Sequence, residues 1–170
     1  MTAVIDVFVP SRLYWRKLFT GGLMQTVNQF MGADHDRLDD IFRRFQDVRK
    51  KDLSGAMDLF RAFRSGLLRH IRWEEDLLFP SFEKETGMAL SGPTQVMRME
   101  HREIKLDLEK IGADLLNGNS GQWETPLLDV LSDHNNKEEA VLYPWIDRSL
   151  TAEEVESLVL LMKADVPKSA

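Results

Sequence analysis

All four histidines of this 170-residue chain fall into one duplicated pattern. His35 stands alone, His70 is followed four residues later by Glu74, His101 stands alone, and His134 is followed four residues later by Glu138. Imidazole nitrogens and carboxylate oxygens are donors for a cation, and two such sets in one chain point to a two-metal site. The chain has no Cys, which excludes disulfides, thiolate zinc cages and cysteine nucleophiles. A metal here must be held by nitrogen and oxygen. The stretches HIRWEEDLLFP from His70 and HNNKEEAVLYP from His134 share His, Glu, Glu, Leu and Pro in register, with Phe79 answering Tyr143. The offset within them is constant (134 − 70 = 64 and 144 − 80 = 64), and the lone histidines are 101 − 35 = 66 apart. The two halves read as an internal repeat.

In a helix, His and Glu four residues apart lie about 40° apart around the axis and about 6 Å along it, so both face the same interior. Glu74 and Glu138 are therefore preferred over Glu75 and Glu139, which sit about 140° from their histidines and are expected to face solvent. The same wheel points Tyr143 away from the site. The histidine faces are apolar: Phe63, Leu67 and Leu77 around His70, Leu127, Leu131 and Val141 around His134, Ile104 and Leu108 around His101, and Met31, Leu38 and Phe42 around His35. Buried on these stripes without partners, charged groups would cost several kcal/mol each. A single core histidine satisfied by hydrogen bonds, or one His-x-x-x-Glu helical pair, has a purely structural explanation. The combination of all four histidines with two equally spaced glutamates does not.

The elements that must position these residues are helices. Apolar residues recur at three and four, as in Phe30, Leu38, Phe42 and Phe45. The pattern predicts helices over residues 23–49 and 54–85, the latter stopped by Gly87, and a third opened by Gly92-Pro93 and ending near Asn117-Gly118. Thr125-Pro126 opens a fourth, and a Thr151/Glu154 capping box opens a short fifth ahead of Val155, Leu158 and Leu161. Four long helices with short connections imply an all-α, up-down-up-down four-helix bundle with one histidine on each helix. Gly32 and Gly66, near the His35 and His70 faces, serve either tight helix contact or room for a diatomic ligand. The expected organisation is an aromatic N-terminal arm over residues 1–20, carrying Phe8, Tyr14, Trp15 and Phe19, the bundle over 21–165, and a flexible tail over 166–170.

The net charge of −6 and the lack of a dense Lys/Arg block give no electrostatic ground for nucleic acid or an anionic membrane. Arg43, Arg44, Arg49, Lys50 and Lys51 read as a solvated helix face. The N-terminal residues lack the pattern of a signal peptide, and no apolar run approaches a membrane-spanning length, so a cytoplasmic protein is expected. The aromatic arm and the run Leu158, Val159, Leu160, Leu161 and Met162 offer apolar surface for a homodimer.

These motifs carry a resemblance. The pattern resembles the hemerythrin-like, or HHE cation-binding, family: His35 in GADHDRLDDIF, His70 and Glu74 in HIRWEEDLLFP, His101 in MRMEHREI, and His134 and Glu138 in HNNKEEAVLYP. It covers most of the chain from about Met24 to Trp145. It implies a bundle around two iron ions, bridged by the carboxylates and an oxo or hydroxo group, with His35, His70, Glu74, His101, His134 and Glu138 as ligands. Oxygen-carrying hemerythrins have a fifth histidine four residues after the third-helix ligand, where this chain has Lys105, and their last carboxylate is an Asp five residues after the final His. The set of four His and two Glu is closer to bacterial di-iron proteins that respond to nitric oxide and repair iron centres, and to iron-sensing domains. The repair proteins usually carry a Cys-containing N-terminal domain, and this chain has no Cys.

Three functional classes follow. The first is a di-iron protein that reacts with dioxygen or nitric oxide as carrier, sensor or scavenger. The second is a di-iron redox enzyme or iron donor, and the third a bundle holding zinc or no metal. Imidazole and carboxylate donors suit iron, with manganese or zinc as substitutes. The repeat also suggests that Asp39 and Lys105, each four residues after a lone histidine, meet one turn below the site, or that Asp39 completes the coordination of one iron; equally, Lys105 reaches outward along its own stem and Asp39 is partly solvated.

Overall fold

The computed structural model describes residues 24–118 and 122–166. The arm expected over residues 1–20 and residues 167–170 of the expected tail lie outside these. Among the described residues all regular structure is helical: α1 (Val27–Arg49), α2 (Leu53–Trp73), α3 (Phe79–Thr86), α4 (Pro93–Leu116), α5 (Glu124–Lys137), α6 (Tyr143–Ser149) and α7 (Ala152–Asp165). A wide π-turn, Glu74–Leu78, joins α2 to α3, and a second, Glu138–Leu142, joins α5 to α6, leaving five continuous helical runs.

The starts and stops have local causes. α1 begins four residues later than the apolar period suggests, because Thr26 and Gln29 form a capping box, with the Gln29 N–H donating to Thr26 Oγ1 at 3.1 Å and the Thr26 N–H donating to Gln29 Oε1 at 3.2 Å. The next free amides, of Val27 and Asn28, donate to the Asp147 carboxylate at 2.8 and 3.1 Å, which ties the start of α1 to α6. Gly87, at φ 71°, ends α3 as expected, in the left-handed conformation that glycine adopts without steric cost. The expected Thr151/Glu154 capping box opens α7. Thr125 does not cap α5. That helix starts one residue earlier, and its first-turn Glu124 pairs with Arg49 and accepts from Gln46 Nε2 at 3.1 Å, both near the end of α1.

The expected uninterrupted helix over residues 54–85 is corrected by the π-turns. Pro80 and Pro144 have no N–H to donate, and a proline ring crowds the carbonyl four residues back, so a regular α-turn cannot pass through. The helix widens instead: Phe79 N–H bonds to Glu74 C=O and Tyr143 N–H to Glu138 C=O, each spanning five residues. The extra residue rotates everything downstream. Leu78 and Leu142 are buried at 0% and 1% exposure, whereas Val141, which an ideal wheel places inside, is 55% exposed.

Two separate apolar clusters result. One holds Val27, Met31, Trp73, Leu78, Phe79, Met97 and Leu142, with α7 packed on it through Val155, Leu158 and Met162. The other holds Leu38, Phe42, Phe63, Leu67, Ile104, Leu108, Leu127 and Leu131. α1 and α4 run from the first cluster to the second, α2 and α5 from the second to the first. This alternation is compatible with the expected up-down-up-down arrangement, and α1 with α2 forms the most extensive helix pair. Between the clusters lies a buried polar layer.

The two mid-helix glycines differ. A Cβ on Gly66 would stand 2.8 Å from Leu38 Cδ2 and 3.2 Å from an Arg37 guanidinium nitrogen, so Gly66 permits close approach of α1 to α2. A Cβ on Gly32 would meet only the Glu139 carboxyl, at 3.7 Å or more. Gly32→Ala is therefore expected to stabilise the metal-free protein by up to about 1 kcal/mol through helix propensity. Gly66→Ala is expected to destabilise it by roughly 1–3 kcal/mol through overpacking against buried Leu38. Urea melts of the two variants check the opposite signs.

Candidate metal centre

The polar layer contains all six residues singled out by the repeat. His35, His70, His101 and His134 are 0–4% exposed, and Glu74 and Glu138 are fully buried. They gather as two overlapping donor groups, Glu74, His101, His134 and Glu138 in one, and His35, His70 and Glu138 in the other. Glu138 belongs to both: its Oε1 lies 3.0 Å from His134 Nε2 and its Oε2 lies 3.4 Å from His35 Nε2. Glu74 Oε2 lies 3.1 Å from His101 Nε2 and 3.8 Å from His70 Nε2.

Four further carboxylates hold the imidazoles in place. Asp34 on α1 meets His70 Nδ1 at 3.0 Å, and Glu75, in the first π-turn, meets His101 Nδ1 at 2.8 Å. Glu100 on α4 meets His134 Nδ1 at 2.8 Å, and Glu139, in the second π-turn, closes the circuit on His35 Nδ1 at 2.7 Å. Each helical run thus supplies a carboxylate to the histidine of the next, in the order α1, α2, α4, α5 and back to α1. A carboxylate on Nδ1 fixes the proton there and turns the Nε2 lone pair inward, the orientation that metal-bound histidines usually have. All four Nε2 atoms face the same interior.

That geometry fits a cation and is poorly satisfied by anything else among the described residues. Glu74 Oε2, His101 Nε2 and Glu138 Oε1 are buried, and beyond the imidazole–carboxylate approaches of 3.0–3.1 Å within the layer they have no hydrogen-bond partner. His35 Nε2 and His70 Nε2 stand 3.0 Å apart, so whenever both rings are neutral with their protons on Nδ1 two lone pairs oppose each other there. Buried polar atoms are nearly always paired, so this cluster of orphans marks a place for positive charge.

The protonation pattern of the metal-free protein says the same. Burial pushes His35 and His134 down, but hydrogen bonding to Glu138 and its charge outweigh burial and raise both to about 9. Burial pushes Glu138 up, yet the bonds from His134 and His35 bring it well below the usual carboxylate range. Glu74 is raised by burial and by the charge of Glu138. His35 and His134 therefore carry protons at neutral pH.

Part of the site lies outside what an ideal helical wheel displays. Glu75 and Glu139 do not simply face solvent; pointing sideways, they reach the histidine of the neighbouring helix. Tyr143 does not point elsewhere. The π-turn swings it into the layer, fully buried, where its hydroxyl lies 2.8 Å from Glu74 Oε1, 2.9 Å from Glu138 Oε2 and 3.3 Å from His70 Nε2. Its repeat counterpart Phe79 stacks on His101, with ring centroids 5.9 Å apart and planes 7° apart. Asp39 and Lys105 do not meet: Lys105 pairs with Glu75 at 3.2 Å, because α4 faces α2 at that corner, and Asp39 is exposed on α1. Asp39 is in neither donor group.

The corner at His35 is the open one. A cavity of about 300 Å³ reaches His35 and Glu139 between α1 and α5, with Asp36, Asp39, Arg43 and Asn136 among its walls. The Glu139 side chain is 47% exposed, against 28% for Glu75, 19% for Glu100 and 9% for Asp34. His35 is the one histidine of the layer that lines this cavity.

Comparison with known proteins gives concordant results. Residues 26–146 match the family described as the hemerythrin HHE cation binding domain. A Nostoc sp. protein named DNA nickase is 27% identical over 141 residues, covering 81% of this chain and 38% of that protein, so the chain spans well under half of that relative's length. No solved structure gives a significant match.

A pH dependence follows from the two raised imidazoles. Their folded pKa lies above the ordinary 6.5, so the stability they contribute is complete below pH 6.5 and is lost as pH climbs through about 9. Metal-free protein is expected to melt at progressively lower temperature from pH 6.5 to 9. A cation taken up by these Nε2 atoms would have to displace the same protons, so its affinity is expected to rise over that range and its addition at pH 7 in weak buffer to release protons. Melting curves and a pH-indicator titration check both.

Proposed function

This chain belongs to the hemerythrin HHE cation-binding family, and from that premise we propose that it is a four-helix-bundle, non-haem di-iron protein that binds dioxygen or nitric oxide. The observation that carries the reading is the convergence of four Nε2 atoms and two buried carboxylates, whose inward atoms have no hydrogen-bond partner outside the layer. His101, His134 and Glu74 would hold one iron, His35 and His70 the other, and Glu138 both. A donor set of imidazole and carboxylate without thiolate suits iron better than a structural zinc cage. Bound iron would supply a redox-active centre with room to accept a diatomic ligand.

The chain's own residues supply the rest. The carboxylates on Nδ1 fix tautomer and ring orientation and raise imidazole basicity. The apolar clusters on either side exclude water, which strengthens electrostatic interactions within the layer. The cavity at His35 admits a small ligand to the group with fewer protein donors.

Tyr143 favours a second reading, a redox enzyme, because a buried hydroxyl touching both central carboxylates could deliver a proton to a bound substrate. The name of the Nostoc relative supports no DNA-directed reading of this chain: most of that protein lies outside the match, and a net charge of −6 offers little attraction for phosphates.

The test is anaerobic loading with ferrous iron, metal analysis, and optical spectra before and after dioxygen and then nitric oxide. The expected result is about two irons per chain, matching the two donor groups, and new visible bands that reverse when the gas is removed. Bands that decay with catalytic consumption of peroxide would favour the enzyme. Protein that retains zinc or no metal would overturn the di-iron reading.

A further inference from the structure

The two donor groups are not equivalent. The group around His101 and His134 has four protein donors, whereas the group around His35 and His70 has three. The repeat places Phe79 beside the first and Tyr143 beside the second. We propose that the Tyr143 hydroxyl oxygen is a direct donor to the cation held by His35, His70 and Glu138, so that the two metal positions are chemically distinct.

A phenol carries one proton, and the Tyr143 oxygen is surrounded by three acceptor atoms: Glu74 Oε1 at 2.8 Å, Glu138 Oε2 at 2.9 Å and His70 Nε2 at 3.3 Å. One proton satisfies one of those contacts; a cation shared among these atoms satisfies all of them. The oxygen is fully buried, away from bulk solvent. It also lies on the His35 side, its ring centroid 6.0 Å from that of His35, where the donor group is one short of its counterpart. The position depends on the second π-turn, since without the extra residue that Pro144 forces, the tyrosine would face away. Coordination breaks the phenolic O–H bond, forms an oxygen–cation bond and releases the proton to bulk water, with no change of oxidation state.

This inference rests on the metal-binding reading above, and the experiment separates the two. Ferric-loaded wild-type protein and Tyr143→Phe are compared by metal analysis, visible absorption and resonance Raman excited within the visible band. A phenyl ring is tolerated at the repeat-related position, so the variant is expected to fold, and circular dichroism melts verify that. The expected result is tyrosine ring modes enhanced in the wild type, and loss of those modes and their charge-transfer band in the variant, with the remaining iron spectrum retained. Iron-loaded wild type without tyrosine modes overturns the inference and leaves the metal reading intact. That measurement does not depend on the variant. Absence of iron from both proteins overturns the metal reading and this inference with it.

Discussion

The rest of the structure is organised around a circuit of four carboxylate–imidazole hydrogen bonds. Asp34, Glu75, Glu100 and Glu139 each leave their own helix to hold the histidine of the next, at 2.7–3.0 Å. Each bond sets a tautomer, and together they set the relative rotation of four helical runs, because a helix turned by one residue would lose both the carboxylate it gives and the one it receives. Three of the four carboxylates are further held by a cation: Asp34 by Arg37, Glu75 by Lys105 and Glu100 by Lys137. Glu139 alone among them has no such partner among the described residues, and it stands at the cavity. The circuit is closed but has one loose corner.

This circuit carries an energetic cost that the apolar clusters offset. Burying ionisable groups without a counter-charge costs several kcal/mol each. The polar layer sits between two clusters rich in Phe, Leu, Ile and Met, whose burial at about 25 cal/mol per Å² stabilises the fold on either side. The layer is therefore a local weakness held in place by strong neighbours, an arrangement typical of functional sites whose stability is completed by a bound ion.

The choice of the six converging residues was legible in the sequence because it rests on short-range spacing: His-x-x-x-Glu keeps both side chains on one face of any regular helix. The helix ends marked by Gly87 and by Thr151 with Glu154 were legible for the same local reason. What the sequence hid depends on long-range or irregular geometry. The four carboxylates act across helix pairs, which no single helical wheel displays, although a signal was present: Asp34 and Glu100 each precede a repeat-related histidine, and Glu75 and Glu139 each follow a repeat-related glutamate. Tyr143 lies inside and Val141 outside, the reverse of an ideal wheel, because the 3.6-residue period fails at Pro144. The repeated Leu-aromatic-Pro, easily taken for a pair of helix ends, is the sequence signature of the two wide turns. Asp39 and Lys105 were paired by analogy within the repeat, but α1 and α4 are not successive in the circuit, and Lys105 found the nearer Glu75.

The central claim is that the buried layer binds two cations through histidine Nε2 atoms while Nδ1 stays on its carboxylate. An anomalous-difference map from crystals of the iron-loaded protein tests it most directly. Two peaks are expected, one facing Nε2 of His101 and His134 and the other facing Nε2 of His35 and His70, with Glu138 between them. A single peak, no peak, or a histidine ring turned to bind through Nδ1 would contradict it.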